Sequence, residues 1–146
     1  MTACGSRPRD PEAEVEAFIT QVEKLTEARE LGELKDLIDA RYHDGHGFDK
    51  RRVVSILQIQ FLKRQGIHVF SRILDLEVDD PGKNATVELL SALAGRPLTG
   101  ISGLKDARAD LMRFRIKLIH DGDDWLIKRV DWSRARMSDF LRAAAE

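Results

Sequence analysis

The sequence is poor in cysteine, in aromatic residues and in long apolar runs, and it carries almost no net charge. One cysteine, Cys4, stands among 146 residues, so no intrachain disulfide can staple the fold. Aromatic residues make up only 6%, which leaves aliphatic side chains to build most of the core. The longest apolar helical candidate, Val53 to Leu62, is interrupted by Ser55, Gln58 and Gln60, and it falls well short of the roughly 20 residues of a membrane-spanning helix. Lys and Arg number 24 against 25 Asp and Glu, a formal charge of -1. That balance removes the global electrostatic case for a nucleic-acid or anionic-membrane binder, so no nucleic-acid partner is expected. What remains is a chain with 42% hydrophobic residues, long enough for one core that buries roughly 70% of the surface exposed by its unfolded state.

The cysteine sits in Thr2-Ala3-Cys4-Gly5-Ser6, ahead of any periodic pattern, and is therefore not a core residue. The run Thr2-Ala3-Cys4 resembles the end of a bacterial lipobox, where two small residues precede the cysteine that is lipidated; Met1 stands where that motif has Leu. The resemblance implies a charged and apolar leader upstream of Met1 in the native product, a lipid anchor on Cys4 as the membrane attachment, and a bacterial cell-envelope address. Gly5 after the cysteine implies the outer membrane. The alternative is a cytoplasmic protein with an unmodified Cys4 in a frayed terminus. On this reading residues 1–10 form a tether and residues 11–146 one domain.

Asp10 before Pro11 and Glu12 has the form of a helix N-cap with proline at the first helical position. Val15, Phe18, Ile19, Val22, Leu25 and Ala28 recur at spacings of three and four, predicting a helix over residues 11–30. Leu34, Leu37 and Ile38 mark a second helix ending near Ala40, and Asp49 caps a third over residues 50–65 with Gly66 as its stop. The period then changes from 3.6 to 2. Strands are predicted over residues 67–78, 84–94, 110–120 and 125–132, with turns at Asp79-Asp80-Pro81-Gly82 and Asp121-Gly122. Residues 95–109 hold three glycines and Pro97 and read as a flap over an end of the sheet, and residues 138–145 as a closing helix.

Three helices followed by four antiparallel strands give an α+β class, helices packed on one face of a curved sheet. This order, with the hairpin Asp121-Gly122-Asp123-Asp124-Trp125-Leu126-Ile127-Lys128, resembles the nuclear transport factor 2-like (cystatin-like) superfamily. The resemblance implies a cone whose mouth can hold an apolar ligand. It does not imply an activity, because the superfamily includes cofactor-free isomerases and dehydratases as well as non-enzymatic binders.

Strand parity puts His68 and Arg72 on the apolar side of the first strand, and Arg129 and Asp131 on the side of Trp125 and Ile127 unless a bulge turns Val130 and Trp132 inward instead. His68 or Asp131 is then the candidate base of an isomerase or dehydratase, and Tyr42, Arg72, Arg129 and Trp132 are candidate ligand contacts. The opposing expectation is that Arg129 and Asp131 pair with each other or with Arg72 at the rim and that His68 and His120 face water at strand ends. The loop residues His43, Asp44 and His46 have a His-x-x-His spacing, but a glycine-rich loop does not impose ligand geometry. No metal and no cofactor is expected. The leading expectation is a non-enzymatic envelope domain for a small apolar or amphipathic ligand, or for an envelope protein partner. Leu90, Ala92, Leu111 and Ile119, on predicted outward faces, motivate a homodimer through the sheet.

Overall fold

The computed structural model describes residues 8–105 and 108–145; Cys4 lies outside them. Helix α1 spans Pro11–Glu27. It begins as predicted, with the Asp10 side chain accepting the Ala13 N–H at 3.2 Å and Glu12 and Glu14 in its first turn. It stops earlier than the periodicity suggests. Arg29 takes a left-handed conformation (φ 56°), and the Glu30 and Arg29 N–H groups return to the Leu25 and Thr26 carbonyls. This is the Schellman ending, made here without glycine. Helix α2 spans Leu31–Asp36, and α3 spans Lys50–Lys63, capped by Asp49 Oδ1 on the Arg52 N–H at 2.9 Å.

The strands are β1 (His68–Val78), β2 (Asn84–Ala94), β3 (Asp110–His120) and β4 (Trp125–Arg134), an antiparallel meander in the order β1-β2-β3-β4. Helix α4 (Met137–Ala145) closes the chain. The four predicted strands and the three leading helices are thus present, and the class is α+β.

Two bulges decide which side chains face the helices. In β1 the pairing with β2 skips between Ile73 and Asp75, so Leu74 is the extra residue. In β4 the pairing jumps from Arg129 opposite Lys117 to Ile127 opposite Leu118, so Lys128 is the extra residue. Each bulge reverses side-chain parity beyond it. In β1 the inward residues become Val69 and Ser71 before the bulge and Leu76 and Val78 after it. In β4 they become Trp125 and Ile127, then Val130, Trp132 and Arg134.

The β4 edge is covered by a chain segment, and the β1 edge is capped at its start by one side chain. The segment after α2 runs along β4, with the Ile127 N–H donating to Leu37 O at 2.7 Å and the Asp39 N–H donating to Ile127 O at 2.9 Å. At the other edge Glu27 Oε2 accepts the Val69 N–H at 2.9 Å. The β4 cover pairs backbone groups that would otherwise invite strand addition there.

The inner face of the sheet packs against the helices through Val15, Phe18, Ile19, Ile38, Val87, Leu118 and Trp125, among others. The outer face is not left open. Leu90 and Ala92 are fully buried beneath Phe140 of α4 and Leu104, with Leu98, Ile101 and Leu111 around them. Two expectations are corrected by this cluster. The segment after β2 is no flap over the end of the sheet; it packs on the outer face. Leu90, Ala92 and Leu111 are covered by the chain's own segments, so these three offer no apolar face for dimerisation; Ile119, the fourth residue of that expectation, is half-buried and outside this cluster.

Candidate functional site

Between the inner face and the helices lies a cavity of about 540 Å3, a size that fits small-molecule sites. Its walls are Ile19 and Val22 of α1, Val53, Ile56 and Leu57 of α3, and Leu89, Leu93, Met112, Phe114, Val130 and Trp132 of the sheet. The apex is closed by the core around Trp125 and Leu118. The opposite end is rimmed by Gln60, Arg64, Asp110 and Arg134. Arg64 Nη2 donates to Asp110 Oδ2 at 2.7 Å, tying the end of α3 to the start of β3.

Polar groups inside the walls are few. Ser71 and Ser91 face each other in the β1–β2 register with their hydroxyls 3.0 Å apart. Glu23, half-buried on α1, belongs to the same lining. Its carboxyl pKa is raised above the ordinary glutamate value, first by burial and further by the neighbouring Glu27 charge, while the Ser71 hydroxyl acts in the opposite direction. Glu23 therefore keeps its proton to a higher pH than a solvated glutamate. It can donate a hydrogen bond when neutral and accept a proton when ionised.

The predicted site residues divide. Tyr42 and Trp132 do line the cavity. Tyr42, however, is 2% exposed, and its hydroxyl is spent on structure: Oη donates to Asp44 Oδ2 at 2.7 Å and accepts the Val130 N–H at 3.3 Å. Burial, and then the adjacent Asp44 carboxylate, push the phenol above its usual range. Trp132 is inward because of the Lys128 bulge, and behind it the His46 ring stacks at 4.3 Å.

His68 and Arg72 are not in the lining. They alternate with the inward Val69 and Ser71 and share the outer face with Phe70, which packs toward α4. The parity expectation had β1 reversed over this half, because the bulge at Leu74 joins two stretches of opposite phase. Arg129 and Asp131 are likewise turned out of the cavity by the Lys128 bulge. They pair with each other, Arg129 Nε to Asp131 Oδ2 at 2.6 Å, and Asp131 Oδ1 also accepts the Gly45 N–H at 3.1 Å. That pairing lowers the Asp131 carboxyl and raises the Arg129 guanidinium. Neither His68 nor Asp131 is therefore placed to act as a base on a molecule in the cone.

The loop between α2 and α3 is organised by Asp44, whose side chain is fully buried. Its Oδ1 accepts the His46 and Phe48 N–H groups at 2.9 and 3.1 Å. His43 instead forms a backbone bridge with Asp49. Among the described residues no cluster of three or more metal-ligating side chains is assembled here or elsewhere.

Sequence reasoning missed Glu23, Ser71, Ser91 and Arg134. For Glu23 a signal was present: it stands four residues after Ile19 and so falls on the apolar stripe of α1, where a carboxylate is out of pattern.

No family model matches the chain, and no curated protein matches it. Solved structures do. A putative scytalone dehydratase from Novosphingobium aromaticivorans is similar over 85% of this chain and 83% of its own, with TM-score 0.67 and 11% identity. A Pseudomonas putida protein described as NTF2-like and of unknown function is similar over 84% of both chains, with TM-score 0.60 and 16% identity. The Bdellovibrio bacteriovorus protein Bd1075 matches 85% of this chain with TM-score 0.65 and 15% identity, and there the match spans 40% of the longer chain. At these identities the likeness speaks for architecture and not for activity. The meander, the helices over its inner face and these neighbours together identify a nuclear transport factor 2-like fold.

Proposed function

We propose that this domain binds a small, mostly apolar molecule inside its cone. The observation that supports it is the cavity of about 540 Å3 walled by aliphatic and aromatic side chains, with a few polar groups within it. A cavity of this composition desolvates an apolar body, and its sparse polar groups orient the ligand. Calorimetric titration with decanol tests the reading. Heat of binding is expected for the wild type and not for Leu57→Trp, which places an indole into the space from α3 while the helical circular-dichroism signal is kept. No binding to the wild type refutes it.

A second reading is favoured by Glu23: cofactor-free proton transfer on the bound molecule, with Glu23 rather than His68 or Asp131 as the base. Its test is deuterium exchange at the α-carbon of a decanone in heavy water, followed by NMR. Exchange above the buffer rate that disappears in Glu23→Gln supports it, and exchange at the buffer rate contradicts it.

For the address, the proposal is an envelope lipoprotein acylated at Cys4. Intact mass of the product of the native locus decides it: an acylated Cys4 supports the anchor, and an unmodified full-length chain contradicts it.

A further inference from the structure

One cross-strand row of the inner face differs from the rest. Ser71 of β1 lies opposite Ser91 of β2, Ser91 opposite Met112 of β3, and Met112 opposite Arg134 of β4. All four residues line the cavity, and Glu23 of α1 stands over the Ser71 end. The neighbouring row, by contrast, is Leu89, Phe114 and Trp132. With strands about 4.8 Å apart, the row from Ser71 to Arg134 runs about 14 Å along the sheet. The cavity is therefore polar at two separated ends of one row and apolar between them.

The charges at the two ends differ in kind. At the rim Arg64 is neutralised by Asp110 at 2.7 Å. Arg134, exposed at the end of β4, has no carboxylate partner among the described residues. A guanidinium at the edge of an apolar cavity is a ready partner for an oxyanion. At the Ser71 end the nearby Glu27 charge, outside the lining, disfavours an anion, while the Glu23 carboxyl with the Ser71 and Ser91 hydroxyls suits a neutral hydroxyl or carbonyl.

Resting on the reading of the cone as a binding cavity, we infer that its ligand is an amphipathic monocarboxylate. Its carboxylate meets Arg134 at the rim, and a hydroxyl or carbonyl at its other end meets Glu23, Ser71 and Ser91. The repulsion at the Glu23 end sets the orientation of the ligand along the row.

The test uses the full chain and three probes of one chain length: decanol, decanoate and ω-hydroxydecanoate, each titrated by calorimetry. Loss of one charge-assisted hydrogen bond predicts that Arg134→Leu weakens both carboxylates by roughly tenfold and leaves decanol within roughly twofold. Decanol binding thereby reports that the variant is folded with its cavity intact. Glu23→Leu is expected to bring ω-hydroxydecanoate down to the affinity of decanoate without weakening decanoate. If decanol binds the wild type but Arg134→Leu leaves the carboxylates unchanged, or weakens all three probes alike, the carboxylate assignment is wrong and the binding cavity stands. If none of the probes binds the wild type, the binding reading itself falls.

Discussion

Replacing Tyr42 by phenylalanine removes one oxygen from the wall of the cone and tests whether the loop over β4 is held by the Tyr42–Asp44 contact. The hydroxyl donates to Asp44 at 2.7 Å and accepts the Val130 N–H at 3.3 Å. The first is a short bond to a carboxylate, worth about 1.5–3 kcal/mol; the second is at the long end for an N–H···O bond and adds little. Asp44 is not orphaned by the change, because Oδ1 keeps the His46 and Phe48 N–H groups. The expected loss is therefore about 2 kcal/mol, near the net value of the charged bond and below the cost of stranding a buried carboxylate. In a domain of this size that lowers Tm by about 4–8 °C. Asp44→Ala strands three donors at once, the Tyr42 hydroxyl and the His46 and Phe48 N–H groups, and must cost clearly more. Urea unfolding of the two variants measures both. A loss for Tyr42→Phe below about 0.5 kcal/mol, or a loss equal to that of Asp44→Ala, would falsify the assignment of the loop to this network.

Three further outcomes follow from the same contacts. Phe140→Ala, at a residue with 0% exposure that caps the outer cluster, is expected to cost about 3–5 kcal/mol in urea unfolding; a loss under about 1 kcal/mol contradicts the packing of α4 on the sheet. Gly45→Ala places a Cβ 2.9 Å from Asp131 Oδ1, so the carboxylate must move off the Gly45 N–H, at a cost of about 1 kcal/mol in the same assay; a neutral substitution contradicts that contact. Glu23 has a folded-state pKa above its unfolded value, so the folded state binds the extra proton. The contribution of Glu23 to stability is then fully present below the ordinary glutamate pKa and is lost as pH rises through the raised one. Glu23→Gln, measured by urea midpoint against pH, is expected to lack that decline and to exceed the wild type at neutral pH; parallel curves refute the burial of the carboxyl.

The architecture was legible because its signals are local. Asp10 and Asp49 cap the helices they precede, and residues 84–89 and 112–118 alternate apolar with polar along strands that carry no bulge of their own. The site was less legible because it depends on two single-residue insertions in the ladder. Nothing in the alternation of β1 marks Leu74 as the extra residue, yet that insertion puts Ser71 inside and Arg72 outside. In β4 the bulge was one of two phases compatible with the sequence, and the pairing with β3 selects the one that turns Trp132 inward and leaves Arg129 and Asp131 to pair. The end of α1 was misplaced for a similar reason: its left-handed residue is Arg29, where a glycine would have announced the stop. The outer apolar residues of β2 looked unpartnered because their cover, Phe140 and Leu104, comes from segments distant in the chain.

Methyl-resolved NMR during a decanol titration tests the central claim, an accessible binding cavity between the helices and the inner face of the sheet. The account predicts saturable shifts for Leu57, Leu89, Leu93 and Met112, which line the cavity, with Leu90 and Leu104 beneath α4 unmoved. Shifts confined to the outer cluster, or no saturable shifts at all, would contradict it.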